Sequence, residues 1–431
     1  MEETILASII TIGDELLIGQ VIDTNSAWMA QELNKAGIWV KRRVAVGDNA
    51  NDIRKALDEE SAHSSVILIT GGLGPTADDI TKPLLCDYFG GKLVRDEKVL
   101  AHVVYLFEQV FRRPGPMLER NIRQADVPNN CTVLHNARGT APGMWFERDG
   151  KVYVSMPGVP HEMKGLMTDE VLPRLQTQFR MSAIRNKSLL TFGIGESMLA
   201  ERIKVFEEKL PADIKLAYLP SYGMVRLRLT GISQDAAEIE GRIQAQFNEL
   251  KKQVADVLVS DEDLPMELIV AKLLLAAGKT MATAESCTGG YIAHRITAHA
   301  GSSEYFKGSV VSYANDVKED LLGVPKDYLS TAVAVSEEVV KAMAKGLLEK
   351  ISTDYAIAVS GIMGPGGATP GKPVGTVWVA IASKDKTSTQ LFQFRYDRTR
   401  NIEMTAVNAL NLLRKFILDE KKSVLTEAAE R

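Results

Sequence analysis

Runs of apolar residues alternate with helical spacings in a regular order through the first third of the chain. ILASIIT (residues 5 to 11), WVKRRVAV (39 to 46) and SVILIT (65 to 70) predict strands. SAWMAQELNKAG (26 to 37) has apolar positions at helical spacing and predicts a helix closed by Gly37. Such alternation predicts parallel strands joined by helical crossovers, an α/β fold in which ligands gather where strands end. From residue 172 the texture changes. KSLLTFGIG and MVRLRLTG are each followed by a long charged helical pattern, which predicts a small α+β segment. The charged break SDEDLP (260 to 265) precedes PMELIVAKLLLAAG, a helix that Gly278 closes. Strands are then predicted at 279 to 284, 309 to 313, 355 to 360, 374 to 382 and 391 to 396, with a closing helix near 400 to 418 and fraying in KKSVLTEAAER. The pattern divides the chain into segments 1–171, 172–258 and 259–420.

Composition narrows the function classes. A chain of 431 residues exceeds what one hydrophobic core usually serves, and 45% hydrophobic with 25% charged residues is ordinary for globular domains. A net charge of -4 supplies no electrostatic footprint for nucleic acid or an anionic membrane, so neither is an expected partner. Cys86, Cys131 and Cys287 lie far apart without CxxC spacing, which argues against a disulfide framework or a cysteine zinc site and fits a reducing compartment. The start, MEETILASIITIGDELL, has acidic residues where a signal peptide needs basic ones, and no apolar run is long enough to span a bilayer. A cytoplasmic location is expected.

Candidate chemistry concentrates in the last segment. TAESCTGG (283 to 290) places Ser286 at a strand end and Thr288, Gly289 and Gly290 at a helix start. Glycines there admit close approach of a ligand, and unpaired amides at the helix N-terminus favour an anion such as phosphate. Ser286 is a candidate nucleophile; the alternative is that Ser286 or Thr288 caps the helix. In SVVSYANDVKEDLLGV, Tyr313 follows a strand and Lys318 begins a helical pattern. No histidine lies in either motif to take a serine proton, and a lysine of lowered pKa does so in serine-lysine variants of the catalytic triad. A surface lysine and a ring packed at a strand edge are the plainer alternatives. The loop SGIMGPGGATPGKPVGTVW, opened by Ser360 and Gly361, follows a buried strand, and DRTR adds Arg398 and Arg400 as phosphate partners or solvated surface charges.

TAESCTGG, SYANDVK, SGIMGPGG and KPVGTVW together resemble the C-terminal domain of the competence/damage-inducible CinA family and the stand-alone nicotinamide-nucleotide amidases. The resemblance spans residues 260 to 418. It implies hydrolysis of nicotinamide mononucleotide to nicotinate mononucleotide and ammonia, a pyridine nucleotide salvage step, with no metal. It places the nucleophile at Ser286, the supporting tyrosine and lysine at Tyr313 and Lys318, and a further hydroxyl at Ser360. Thr288, Gly289, Gly290, Gly361 and Arg398 would contact substrate. The family's G-D-R loop reads YDR here, and the residues after Arg398 depart from the usual basic pattern.

In the first segment, ILITGGLGPTADDIT joins a strand to a glycine loop and two aspartates. Backbone amides of Gly71, Gly72 and Gly74 can cradle phosphates, and Asp78 or Asp79 can hold a divalent cation; Asp79 alternatively caps the following helix. GGLGPTADDIT and MPGVPHEM resemble the N-terminal domain of the same family, which is related to the molybdopterin-binding fold, over residues 4 to 170. That likeness implies a three-layer α/β domain with metal-dependent pyrophosphatase activity on ADP-ribose, yielding AMP and ribose 5-phosphate. It points to Asp48 and Asp79, with Glu15 and Asn25 also matching. The middle segment resembles the family's KH-type domain, yet residues 193 to 196 read GIGE where an RNA-binding KH domain has GXXG. A homodimer is a further implication of the resemblance. The rival reading is a molybdopterin- or nucleotide-binding regulator, linked to competence or damage response, without turnover.

Overall fold

A computed structural model of the chain describes residues 4–429 except Ala77, Pro114, Gly115, Ala332 and Val333. The chain divides into two compact units, one of Met1–Asn186, Leu210–Lys215 and Leu229–Gln246, the other of Lys187–Lys209, Leu216–Arg228 and Phe247–Arg431.

The first unit is built on β1 (Leu6–Ile12), β2 (Trp39–Val46), β3 (Val66–Thr70), β4 (Leu93–Arg95), β5 (Asp126–Pro128), β6 (Thr132–Leu134), β7 (Gly143–Arg148) and β8 (Lys151–Met156). Six of these form a sheet in the order β2-β1-β3-β8-β7-β6, and β4 pairs with β5. β1, β2, β3 and β8 are parallel, as the alternation predicted, whereas the β8–β7–β6 edge is antiparallel. β1 and β3 are almost continuously apolar because both sheet faces are covered: Ile9 and Leu68 face one core, Ile10 and Ile69 the other. The predicted first helix runs Thr24–Lys35, two residues earlier than expected, because Asp23 caps it by accepting from Ser26 N.

β9 (Ala183–Phe192), β10 (Ile214–Ser221), β11 (Met224–Ser233) and β12 (Leu258–Ser260) form a four-stranded sheet in the order β10-β11-β9-β12.

In the second unit β13 (Met281–Glu285), β14 (Phe306–Val311), β15 (Tyr355–Gly361), β16 (Thr376–Ala382) and β17 (Thr387–Gln393) form a sheet in the order β14-β13-β15-β16-β17. The strand expected at 391 to 396 is therefore 387–393. β13, β14 and β15 are parallel, while β16 and β17 are antiparallel additions. Residue size sorts the two faces. Ala282, Ala284, Ala356, Ala358, Ala380 and Ala382 line one face, against Val339, Val340, Met343 and Leu347 of the helix Glu337–Ile351. Alternate positions such as Met281, Ile357, Val359 and Ile381 line the other, under the helices Met266–Ala277 and Arg398–Ala429. Small side chains let one helix sit close; large ones fill a deeper layer. The closing helix continues to Ala429, past the predicted end at 418.

Candidate active site

Strand register gathers the candidate residues at one edge of the β13–β17 sheet. Glu285 stands opposite Val311 in β14 and Val359 in β15, so Ser286, Ser312 and Ser360 follow at the same C-terminal edge. The ladder continues past the strands through Ser286 N to Val359 O (3.1 Å) and Ser312 N to Glu285 O (2.9 Å). Side chains alternate faces, so Ser360 lies on the alanine-lined face, two positions beyond Ala358.

Ser286 is 8% exposed at a strand-to-helix turn whose glycines both have positive φ, 60° at Gly289 and 93° at Gly290. The expectation of unpaired helix amides fails here. Glu285, fully buried, accepts from Ile292 N (3.0 Å) and Ala293 N (2.8 Å), and from the Thr288 hydroxyl (2.7 Å). A side-chain carboxylate thus fills the place proposed for a phosphate, because a covalently held anion needs no binding entropy to occupy it. Neither Ser286 nor Thr288 caps the helix. Among the described residues the backbone N–H groups of Thr288 and Gly290 donate to no other residue, while Gly289 N donates to Ser286 O (3.2 Å).

Lys318 is not the surface lysine of the plainer alternative. It is 1% exposed, and Nζ donates to the carbonyls of Ser312 (2.8 Å), Tyr313 (3.1 Å) and Ala314 (3.4 Å). Among the described residues no carboxylate forms an ion pair with it, and burial pulls its pKa below the ordinary lysine value. Lys318 and Arg398 both act on the Cys287 thiol, their positive charges opposing the burial that pushes it up to about 12. That ties both cations to the Ser286–Cys287 turn, although Lys318 Nζ makes no hydrogen bond to Ser286.

Tyr313 is 63% exposed and does not pack at a strand edge; its phenol oxygen accepts from Arg398 Nη2 (3.2 Å). Arg398 Nη1 donates to Gly364 O (2.8 Å), so this arginine fastens the glycine loop to Tyr313. The Arg400 guanidinium lies 4.2 Å over the Tyr396 ring. Ser360 is 1% exposed and donates to Ala334 O (2.6 Å), and Gly361 is crowded, since a Cβ there would lie 2.7 Å from Val377 Cγ2. Sequence reasoning missed Glu285 and the fully buried Ser312, whose hydroxyl has no partner among the described residues. A charged residue ending the apolar run KTMATA was the available signal for Glu285.

The first unit collects a second set of candidates. Asp79 does not cap the helix Thr81–Tyr88. It accepts from Gly74 N (2.8 Å) and Thr76 N (2.9 Å) and closes the glycine loop on itself. Gly71 N is spent on Met156 O (3.1 Å), and a side chain on Gly72 would lie 2.1 Å from Thr81 Oγ1. Asp48 and Asp14 exchange backbone N–H bonds at 3.1 Å each, and burial, then the charges of Asp14, Glu15 and Asp78, raise Asp48. Asp78 is lowered by a hydrogen bond from Thr76. Asn25 donates to Gly158 O (2.7 Å) while its Oδ1 is buried without a partner among the described residues. Unrelieved carboxylate repulsion is the environment a divalent cation relieves, but no three such groups converge on one point among the described residues. A cation here would be completed by substrate phosphate oxygens and water.

Three family models match successive stretches: "Probable molybdopterin binding domain" over residues 8–177, the damage-inducible protein CinA KH domain over 186–259, and the CinA C-terminal domain over 263–417. A CinA-like protein of Cytophaga hutchinsonii is 46% identical over 421 residues, 98% of this chain and 100% of that protein. The chain belongs to the CinA family. A CinA-like protein of Flavobacterium psychrophilum is 45% identical over 413 residues, 96% of this chain and 98% of its own. Among solved structures, a CinA superfamily protein from Klebsiella pneumoniae is 34% identical, covering 36% of this chain and 96% of that one with a TM-score of 0.35. The rim holding Ser286, Tyr313, Lys318 and Arg398 lies within the CinA C-terminal match. The described chain contains no helix long and apolar enough to cross a membrane.

Proposed function

We propose that the C-terminal domain hydrolyses the carboxamide of nicotinamide mononucleotide to nicotinate mononucleotide and ammonia. The observation that carries this reading is Lys318: among the described residues its buried ammonium has no carboxylate partner, its charge reaches the Cys287 thiol next to Ser286, and burial shifts it toward the neutral amine. Proteins seldom bury a lysine unpaired for stability alone. As an amine it keeps two N–H donors for its nearer carbonyls and frees a lone pair. The Ser286 hydroxyl loses its proton toward Lys318, through Tyr313 or water, as its oxygen bonds to the carboxamide carbon. The oxyanion meets the uncommitted N–H groups of Thr288 and Gly290. Collapse expels ammonia, which takes up the proton, and water then cleaves the acyl ester to release the acid and regenerate Ser286. Arg398, held by Tyr313 and Gly364, and Arg400, over the Tyr396 ring, are the cations that would meet the phosphate.

Ammonia release from nicotinamide mononucleotide by the full chain tests this. Wild type should release it, and Ser286→Ala and Lys318→Met should not, with melting curves confirming folded variants. Absence of ammonia from wild type, or full activity in Ser286→Ala, overturns the reading.

A second reading concerns the N-terminal domain and is favoured by the raised Asp48. There the chain would cleave the pyrophosphate of ADP-ribose to AMP and ribose 5-phosphate. A divalent cation, when bound, would neutralise phosphate charge and acidify a water. Asp48 would hold that ion together with substrate phosphate oxygens and water, while Asp79 keeps the glycine loop closed beneath the phosphates.

A further inference from the structure

A cavity of about 370 Å³ adjoins the Ser286 turn, lined by Gly289, Gly290, Tyr291, His294, Ile402 and Glu403. Two carboxylates border this region. Glu285 fills the helix amides and Glu403 opens onto the cavity, so a phosphate there would meet negative charge. What the cavity does offer is a carboxylate acceptor and an imidazole, a set suited to a neutral polyol. Carboxylate acceptance from ribose hydroxyls is a recurring solution in nucleotide sites.

The β10–β11 turn, which belongs to the same compact unit, reaches this cavity. Met224 packs against the C-terminal core, and a Cβ on Gly223 would lie 3.5 Å from Met404 Cε, one residue beyond Glu403. Tyr222, at a left-handed φ of 45° that non-glycine residues rarely adopt, directs its hydroxyl to the Glu403 carboxylate.

We propose that this cavity is the sugar subsite of a ribosylated carboxamide substrate, with Glu403 accepting from the ribose hydroxyls and Tyr222 acting as the positioning residue that holds Glu403. This rests on the amidase reading and adds to it a specificity device supplied by the middle segment.

The test uses the full-length Ser286→Ala protein and calorimetric titration with nicotinamide mononucleotide and its 2′,3′-dideoxy analogue. Glu403→Gln should weaken the ribosylated ligand about tenfold or more, the scale of a hydrogen bond to a charged group, and shift the dideoxy analogue little. In the turnover-competent protein with Ser286 intact, Tyr222→Phe should raise KM several-fold, roughly half an order of magnitude, with the loss falling on KM and not on kcat. Equal losses for both ligands, or none for either, overturn the sugar subsite, as does failure of every ribosylated ligand to bind. Ammonia release by wild type separately decides the amidase reading, so the two failures are distinguishable.

Discussion

The Glu285 carboxylate accepts the Thr288 hydroxyl at 2.7 Å, and the serine between them, Ser286, is thereby held on a turn pinned from both sides. The same carboxylate takes the Ile292 and Ala293 amides, so one side chain sets the turn and the first residues of the helix that follows. Glu285→Gln turns an NH₂ toward one of those donors and leaves it unsatisfied in the interior. The expected cost is about 1–3 kcal/mol in urea unfolding, with a fall in ammonia release at least as large as the fall in folded protein. A variant as stable and active as wild type would mean that the turn is fixed by something else.

Cys287, next to the proposed nucleophile, should be inert. Its thiol is buried and pushed up to about 12, so almost no thiolate exists near neutrality. Cys287→Ala is expected to keep ammonia release within a few-fold, about the scale of a modest packing defect, and iodoacetamide should leave wild type active. Substrate-protectable inactivation by alkylation would show that the thiol takes part.

Lys318 predicts a pH dependence of definite sign. Burial places its folded-state value below the ordinary 10.5, so the unfolded chain binds the extra proton between those two values. Stability therefore rises with pH across that window, and the penalty for the buried ammonium is fully present below it. Urea midpoints measured at increasing pH should climb for wild type relative to Lys318→Met. The rate of ammonia release should rise along one limb with a midpoint below 10.5. A wild-type midpoint that falls relative to Lys318→Met as pH rises would contradict the assignment.

The alanine-lined face should tolerate no enlargement. Ala358 is fully buried between its strand and the helix Glu337–Ile351. Ala358→Leu is expected to cost about 1–3 kcal/mol, since the backbone must move to admit it. Ile357→Leu, on the opposite face, should cost less than about 1.5 kcal/mol. Chemical denaturation of the pair checks the asymmetry.

Asp48 carries the corresponding test in the N-terminal domain. Its raised value means that the folded state holds the proton more tightly, so ionisation above 3.8 costs stability that is absent when both states are protonated. Asp48→Asn keeps an oxygen for Asp14 N and removes the repulsion. The variant should unfold at higher urea than wild type at neutral pH while losing ADP-ribose cleavage, and chelation should silence wild type. Cleavage indifferent to chelator removes the metal role.

Local physics made much of this legible. β-branched runs and glycine stops marked strands such as Val66–Thr70 and the helix Met266–Ala277 because period and caps are properties of neighbouring residues. The motif turn at Ser286 was visible for the same reason. Lys318 was named, but not that it would be buried, and its burial is what gives it chemistry. Asp79 looked like a cap until the loop folded back to supply two nearer amides.

The order of residues determined which segments are strands, where the helices stop, and which hydroxyl, amine and glycines are offered at each turn. Only the tertiary structure decided the register that aligns Ser286, Ser312 and Ser360, the filling of the helix amides by Glu285, and the reach of Tyr222 toward Glu403. Register and the Tyr222 contact join residues distant in sequence, and the Glu285 bonds form only because the turn folds back in a buried setting, so their energies depend on packing and burial that no local pattern encodes.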